Sequence, residues 1–253
     1  MCIILITPTG GRPDQINLCH FFMKRQTYPG KVVWIIVDDC NPHTIDGIQN
    51  DKENWNIIKI FPSPPWQPGQ NTQGRNIAEG INTLLANYKS EEIEGIFIIE
   101  DDDYYKPIYL ERMASRLSGF QAIGEKNTIY YNVFYRTSFT HDNNGHSSLF
   151  QTAFTMEALL IFENCLNQRF IDMAFRPALS RVNLFNDGNL SIGIKGMPGR
   201  YGIGSGHTRL RNMPADNGLN YLISLIGNEN AQLYAGYYGG SQIQRHSLFT
   251  RRN

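Results

Sequence analysis

The segment Gly95-Ile96-Phe97-Ile98-Ile99-Glu100-Asp101-Asp102-Asp103-Tyr104 places four consecutive acidic residues directly after an apolar run. The run predicts a buried strand, and the acidic cluster then lies where that strand reaches the edge of a sheet. Adjacent carboxylates repel one another, so a bound cation or water must satisfy them. Carboxylate oxygens are the ligands that hard divalent cations prefer. The segment therefore predicts either a metal site at a sheet edge or a solvated acidic turn after a strand.

The first hundred residues alternate strand patterns with helix patterns. Apolar runs predict strands at residues 2–6, 32–37, 56–61 and 94–99. A proline and an acidic residue open a helix at Pro13, and apolar residues at helical spacing predict another at 73–88. Short connections between alternating elements are typical of an α/β protein with a doubly wound, mostly parallel sheet and helices on both faces.

The second half of the chain is less regular. Its patterns predict strands at 128–135 and 150–154, a polar loop at 137–148 and a helix at 156–164. Residues 193–206 contain six glycines, which predicts a mobile or ligand-facing loop.

Composition and charge restrict the class of protein. Of 253 residues, 41% are hydrophobic and 18% are charged, which is typical of a globular chain. Because 23 basic residues balance 23 acidic ones, no overall field attracts nucleic acid or an anionic membrane. The sequence shows no transmembrane run and no signal peptide, and its four scattered cysteines suit a reducing compartment. We therefore expect a cytoplasmic protein without a transmembrane anchor.

Polar residues follow three of the four N-terminal strands. They are the loop 7–12, the pair Asp38-Asp39 and the acidic cluster 100–103. The carboxyl ends of parallel strands meet at one edge, where a carboxylate can accept a hydrogen bond from a ribose or a base. Arg12 or Arg75 can add bidentate bonds to phosphate oxygens. These residues predict a nucleotide site at that edge.

Four motifs in this order resemble those of the GT-A glycosyltransferases, closest to the large inverting group called family 2. The motifs are Ile6-Thr7-Pro8-Thr9 with Arg12; Gln26-Thr27-Tyr28-Pro29 followed by Ile35-Ile36-Val37-Asp38-Asp39; Gly74-Arg75-Asn76; and the acidic cluster followed by Pro107 and Leu110. Together they cover residues 3–113, and each motif alone is weak.

The resemblance implies an inverting, metal-dependent transferase that moves a sugar from a nucleotide-diphosphate sugar, UDP-linked, to an acceptor hydroxyl. It implies a single GT-A domain with a nucleotide-sugar-binding half at 1–113, an acceptor-binding and catalytic half at 114–241, and a basic tail at 242–253. The implied cofactor is Mn²⁺ or Mg²⁺. The acceptor stays open between a glycan and, less usual, a hydroxylated nucleic-acid base.

The resemblance also assigns individual residues. The residues implied for the nucleotide-sugar site are Thr7, Pro8, Arg12, Asp38, Asp39, Arg75 and Asp101. The metal is assigned to Asp102 and Asp103, and His207 is either a further ligand or a histidine of a surface loop. Two registers stay open, because the family pair matches either Glu100 with Asp102 or Asp101 with Asp103. Glu100 is a departure, since the first acid of the family is usually Asp.

The segment Phe185-Asn186-Asp187-Gly188-Asn189-Leu190 resembles the family's E-D-x-x-L motif, in which the aspartate is the catalytic base. Asp187 is therefore predicted to take the proton of the acceptor hydroxyl. Asn186 stands where the family has Glu, and the same residues also suit an Asn-Asp-Gly turn. Two other functions remain open: a nucleotidyltransferase acting on a sugar phosphate, and a non-catalytic protein that binds nucleotide sugars.

Overall fold

A computed structural model describes residues 1–143, 145–200 and 214–240 of the chain. Its main sheet has seven strands, in the spatial order β10 (Val182–Phe185), β6 (Ala122–Glu125), β9 (Thr152–Phe154), β4 (Ile93–Ile98), β1 (Cys2–Thr9), β2 (Lys31–Asp38) and β3 (Trp55–Ile60). Only β9 runs antiparallel to its neighbours in this sheet, so the sheet is mostly parallel, as predicted.

Seven α-helices accompany the sheets in the described part of the chain. They are α1 (Pro13–Lys24), α2 (Gln73–Asn87), α3 (Tyr109–Leu117), α4 (Leu159–Glu163), α5 (Ile171–Phe175), α6 (Asn220–Ile226) and α7 (Asn228–Gln232). Alternate residues of β1 pack on opposite faces: Ile3 and Leu5 lie in one core with residues of α1 and α3, whereas Ile4 and Ile6 lie in another with residues of α2. The doubly wound arrangement is confirmed. Burial on both faces explains why β1 is apolar without alternation.

A second sheet of four strands has the order β5 (Tyr104–Tyr105), β11 (Ser191–Lys195), β7 (Asn127–Asn132) and β8 (Thr137–Asp142). Its strand β11 runs antiparallel to β5 and parallel to β7, so it joins the segment after the acidic cluster to the second half of the chain. The other predicted strands and helices are confirmed, with ends that differ by a few residues.

Two predictions about the second sheet were wrong. The polar segment 137–148 was predicted to be a loop, but its first six residues form β8. This is an edge strand, and most of its polar residues are partly or fully exposed. The glycine-rich segment was also predicted to be a loop, but residues 193–195 belong to β11. Gly193 fits this strand because a Cβ there would lie 2.4 Å from the ring of Tyr130. Residues 201–206 of that segment lie outside the described residues.

The main sheet takes β1 to β4 from residues 1–113 and β6, β9 and β10 from residues 114–241. The division into two functional halves stays a prediction, and the tail 242–253 lies outside the described residues. Among the helices described, none has the length and apolar character needed to cross a membrane.

Candidate functional site

A cavity of about 610 Å³ lies at the edge where β1, β2 and β4 end. Cavities of about 300–1,000 Å³ are typical of small-ligand sites. From the first half of the chain its lining includes Pro8, Thr9, Arg12, Trp66, Gln73, Glu100 and Asp102. From the second half it includes Tyr130, Phe150, Phe170, Asp172, Lys195 and Arg200. The cavity is therefore bordered by both halves of the chain.

The two aspartates that follow β2 have different roles. Asp38 engages its own loop: Oδ1 accepts from the backbone amide of Cys40 at 3.0 Å, and Oδ2 accepts from the amide and the hydroxyl of Thr44 at 2.5 and 3.0 Å. With both oxygens used locally, Asp38 holds the loop in place. Neither Asp38 nor Thr7 lines the cavity, and Thr7 accepts a hydrogen bond of 2.9 Å from the Trp34 indole.

Asp39 is buried and binds three side chains from two separate segments. Its Oδ2 accepts from Arg75 Nη2 at 3.1 Å and from the hydroxyl of Thr72, and its Oδ1 accepts from Arg200 Nη1 at 3.0 Å. The Arg200 guanidinium also lies 4.8 Å from the centre of the Trp66 ring. Arg200 and Trp66 line the cavity, and the Asp39 carboxylate fixes Arg200 there.

Within the acidic cluster, Glu100 and Asp101 have different partners. Glu100 Oε1 accepts from Gln73 Nε2 at 2.8 Å. Asp101 Oδ2 accepts from Thr9 Oγ1 at 2.5 Å, and the same carboxylate forms an ion pair with Arg12. Burial raises the pKa of Asp101 to about 6, although the Arg12 guanidinium opposes this shift. Asp101 therefore serves to hold Arg12 at the cavity.

Asp102 and Asp103 share one buried cation. Lys195 Nζ lies 3.2 Å from Asp102 Oδ2 and 2.9 Å from Asp103 Oδ1, and the latter oxygen also accepts from the amide of Ile194 at 2.9 Å. Burial raises the pKa of Asp103 well above its usual value, and the Lys195 ammonium opposes the shift. The structure thus brings a lysine from β11 into the predicted metal site.

The carboxylates of this cluster fit a divalent cation. Glu100, Asp102 and Asp103 each offer one oxygen, and these oxygens lie within 4.8 Å of one another. Asp103 Oδ2 is buried and has no hydrogen-bond partner in the described part of the chain. An orphaned buried carboxylate oxygen is costly without a cation or water. Because Asp101 is absent from this set, the geometry favours the register that pairs Glu100 with Asp102.

Asp187 lies away from these groups. It follows β10 in a turn in which Gly188 and Asn189 have φ of 75° and 59°. Its Oδ2 accepts from Arg116 Nη2, near the end of α3, at 2.9 Å. Asp187 is not among the lining residues of the cavity. The positive φ values of Gly188 and Asn189 fit the Asn-Asp-Gly turn alternative, and the role of Asp187 as a base stays a prediction. His207 lies outside the described residues.

Two charged residues that matter for the chemistry of the cavity, Asp172 and Lys195, were not among the residues predicted from the sequence. Asp172, in the first turn of α5, lines it, and burial raises the pKa of its carboxyl, an effect that His146 opposes with Nε2 3.8 Å away. No local motif marks Asp172. Lys195 has a signal in the alternation of Ile192-Gly193-Ile194-Lys195, which is a strand pattern inside the glycine-rich segment.

Solved structures share the overall architecture. The chain superposes on S. aureus TarS 1–349 in complex with UDP-GlcNAc with a TM-score of 0.56 and 15% identity. The superposition covers 81% of this chain and 61% of the TarS fragment. S. aureus TarS 1–349 in complex with UDP gives a TM-score of 0.52 and 16% identity over 77% of this chain and 60% of that one. The chain has the GT-A fold.

The predicted fold class is thereby confirmed. At these identities the likeness concerns the GT-A fold alone, and the chain spans about three fifths of the length of the TarS fragments. No protein-family model matches the chain, and no curated protein sequence matches it either.

Proposed function

We propose that this GT-A chain is an inverting glycosyltransferase that takes its sugar from a UDP-linked donor and transfers it to an acceptor hydroxyl. One observation carries the proposal: a single cavity at the carboxyl edge of the sheet is lined by an aromatic ring, two fixed arginines and an acidic cluster that fits a divalent ion. A nucleotide-diphosphate sugar needs these same groups for its base, its phosphates and the counterion of those phosphates.

The donor occupies the part of the cavity bordered by the end of β1 and by Trp66. Pro8 and Trp66 offer apolar surface to the nucleobase, and Asp39 with Arg75 positions the Arg200 guanidinium beside the Trp66 ring. Arg12 lies on the cavity with its charge held by Asp101, and it binds the diphosphate. Such fixed cations stabilise the charge that grows on the leaving nucleoside diphosphate.

A divalent ion, Mn²⁺ or Mg²⁺, would be held by Glu100, Asp102 and Asp103, with His207 as a further proposed ligand. When bound, it would supply Lewis-acid stabilisation of the diphosphate oxygens. The chain's own contribution is to keep these carboxylates close together, with Asp103 buried and Glu100 and Asp102 partly buried at the cavity.

We assign the proton-accepting role to Asp172 in preference to Asp187. Asp172 lines the cavity and has a raised pKa, whereas Asp187 is paired with Arg116 outside the lining. A carboxylate whose pKa is raised toward neutrality is a stronger base once it is ionised. In the reaction the acceptor oxygen bonds to the anomeric carbon, its proton moves to Asp172, and the bond to the diphosphate breaks with its electron pair.

The proposed acceptor is a glycan. Phe170 and Tyr130 line the same cavity as Asp172, and aromatic rings present apolar faces on which sugars can stack. The balanced charge of the chain gives no comparable support to a hydroxylated nucleic-acid base. We also propose a cytoplasmic location, because Cys2, Cys19, Cys40 and Cys165 are all free thiols.

Thermal unfolding with a panel of nucleoside diphosphates, each with and without Mn²⁺, tests the donor class. At a ligand concentration of 100 times Kd, binding stabilises the folded state by about 2.7 kcal/mol, which raises Tm by roughly 5–10 °C for a chain of this size. We expect that shift for UDP with Mn²⁺, and its loss in Asp102→Asn but not in the control Asp187→Asn. Absence of any diphosphate-dependent shift would overturn the proposal.

The products that the protein releases distinguish the transferase from its two alternatives, the nucleotidyltransferase and the non-catalytic binding protein. Release of UDP from a UDP-sugar on adding an acceptor supports the transferase. Release of pyrophosphate from a nucleoside triphosphate and a sugar phosphate identifies a nucleotidyltransferase. Binding of a UDP-sugar without any turnover identifies a non-catalytic binding protein.

A further inference from the structure

The Lys195 ammonium lies inside the group of carboxylates that fits a metal ion. Its Nζ contacts Asp102 Oδ2 at 3.2 Å and Asp103 Oδ1 at 2.9 Å. Only 7% of the Lys195 side chain is exposed, and the exposed fractions of the two aspartate side chains are 10% and 0%. A buried lysine between two buried carboxylates is their counterion and not a solvated surface charge.

Strand pairing fixes Lys195 in this place. It is the last residue of β11, which pairs with β5 on one side and β7 on the other. The preceding amide, of Ile194, donates to the same Asp103 oxygen that Lys195 contacts. At the start of β11, the buried Glu125 carboxylate accepts from the amides of Leu190 and Ser191 at 2.8 and 3.1 Å. The backbone that carries the lysine is therefore held at both ends.

A divalent ion held by these carboxylates would lie close to the Lys195 ammonium. Asp102 and Asp103 provide two of the three oxygens that lie within 4.8 Å of one another, and Lys195 is bound to both of these residues. Two cations a few ångströms apart repel strongly in a buried site. The orphaned Asp103 Oδ2 shows that the lysine does not satisfy the cluster completely.

We propose that Lys195 is a built-in competitor of the divalent cation: it neutralises Asp102 and Asp103 in the metal-free protein and leaves them when the ion binds. The competition lowers the affinity of the site for free metal. Lys195 also lines the cavity, so the displaced ammonium has an anionic donor diphosphate as its next partner. Donor and metal then favour each other's binding, and this coupling is reciprocal.

The inference goes beyond sugar transfer, because it concerns cation binding in the absence of any donor. Mn²⁺ alone is titrated into the full chain, and free Mn²⁺ is measured by its electron paramagnetic resonance signal. We expect Lys195→Met to bind Mn²⁺ roughly tenfold or more tighter than the wild type, which is within the usual range of coupling between sites. The matched control is Lys126→Met, which removes the same charge from an exposed residue and leaves the Mn²⁺ affinity unchanged.

Removal of Lys195 takes a counterion away from two largely buried carboxylates, so the variant is expected to be less stable without metal. Thermal unfolding is therefore measured with EDTA and with Mn²⁺ for Lys195→Met and for the more polar Lys195→Gln. A larger Mn²⁺-dependent rise in Tm than in the wild type supports the proposal, including a variant that folds only with Mn²⁺. Equal or weaker Mn²⁺ binding by the folded variants overturns it.

The wild-type protein provides a measurement that does not depend on a variant. Nitrogen NMR of its lysine ammonium groups should show the signal of the buried Lys195 change when Mg²⁺ saturates the site. A Lys195 signal that is unchanged at saturating Mg²⁺, or a site that takes up neither ion, overturns the proposal. Because no nucleotide is present, these results are separate from any failure of UDP to bind.

Discussion

The exchange of Asp172 for asparagine, compared with the same exchange at Asp187, tests which carboxylate is the base. Both changes keep the size of the side chain and remove the negative charge. Asp172 lines the cavity beside His146, whereas Asp187 lies outside the lining and pairs with Arg116. If the catalytic base must lie at the cavity, only Asp172→Asn removes a catalytic group.

The two changes are expected to differ in their effects on kcat and on stability. Loss of a general base lowers the rate by about 10²–10⁴-fold, which corresponds to about 3–5 kcal/mol in the activation barrier. Asp172→Asn is therefore expected to lower kcat by that factor. Asp187→Asn removes an ion pair whose two side chains are 27% and 34% exposed, which costs about 0.2–1 kcal/mol of stability and leaves kcat unchanged.

The assay follows the release of nucleoside diphosphate from the donor in the presence of acceptor glycans, with UDP binding measured separately. We expect the Kd of UDP to be the same in both variants and the wild type, because neither carboxylate contacts the diphosphate in the proposed arrangement. A large fall in kcat for Asp187→Asn, with normal turnover in Asp172→Asn, would refute the reasoning. That result would restore the assignment made from the sequence motif.

Three further results are expected. Because burial raises the pKa of Asp172, the acidic limb of the kcat profile should lie at higher pH than for an ordinary aspartate, and activity should fall as the pH drops through that limb; a profile that is flat down to the usual aspartate range contradicts this. Gly74→Ala should lower stability by about 1–3 kcal/mol in chemical denaturation, since its Cβ would lie 2.0 Å from the backbone oxygen of Leu166. Gly47→Ala, with open space around it, is the control and should change little. Glu125→Ala should lower the Tm by several degrees, because it leaves the two buried amides at the start of β11 without their acceptor; an unchanged Tm would show that β11 does not depend on this carboxylate.

The first half of the fold was predictable because its strands are buried on both faces. Residues 2–6 of β1 are apolar without alternation, which is the pattern expected of a strand of a parallel sheet that is buried on both faces. The polar residues at the strand ends were also predictable, because they come directly after each apolar run in the sequence. Their chemical partners were not predictable, because Arg12, Arg75 and Arg200 reach Asp101 and Asp39 from distant parts of the chain.

Parts of the second half were not predictable, because the local residue patterns there conflict with the tertiary contacts. The glycine at 193 indicates a loop when read alone, but it makes room for the ring of Tyr130 in the neighbouring strand. Lys195 is separated from Asp103 by 92 residues, so no spacing along the sequence joins the two. Asp172 lies on a five-residue helix without a motif, so only the folded structure shows that it is partly buried at the cavity.

The pairing of charges around the cavity limits what can bind there. Three of the cationic side chains that line it already have carboxylate partners: Arg12 with Asp101, Lys195 with Asp102 and Asp103, and Arg200 with Asp39. A ligand that brings no charge cannot replace these partners, because separating a buried pair without compensation costs several kcal/mol. In the proposed function a diphosphate adds its own contacts to Arg12 and Arg200, while Asp101 and Asp39 continue to hold the two guanidinium groups in place. On the proposed function, this arrangement favours a nucleotide-diphosphate sugar over a free sugar, because the free sugar brings no negative charge to these cations.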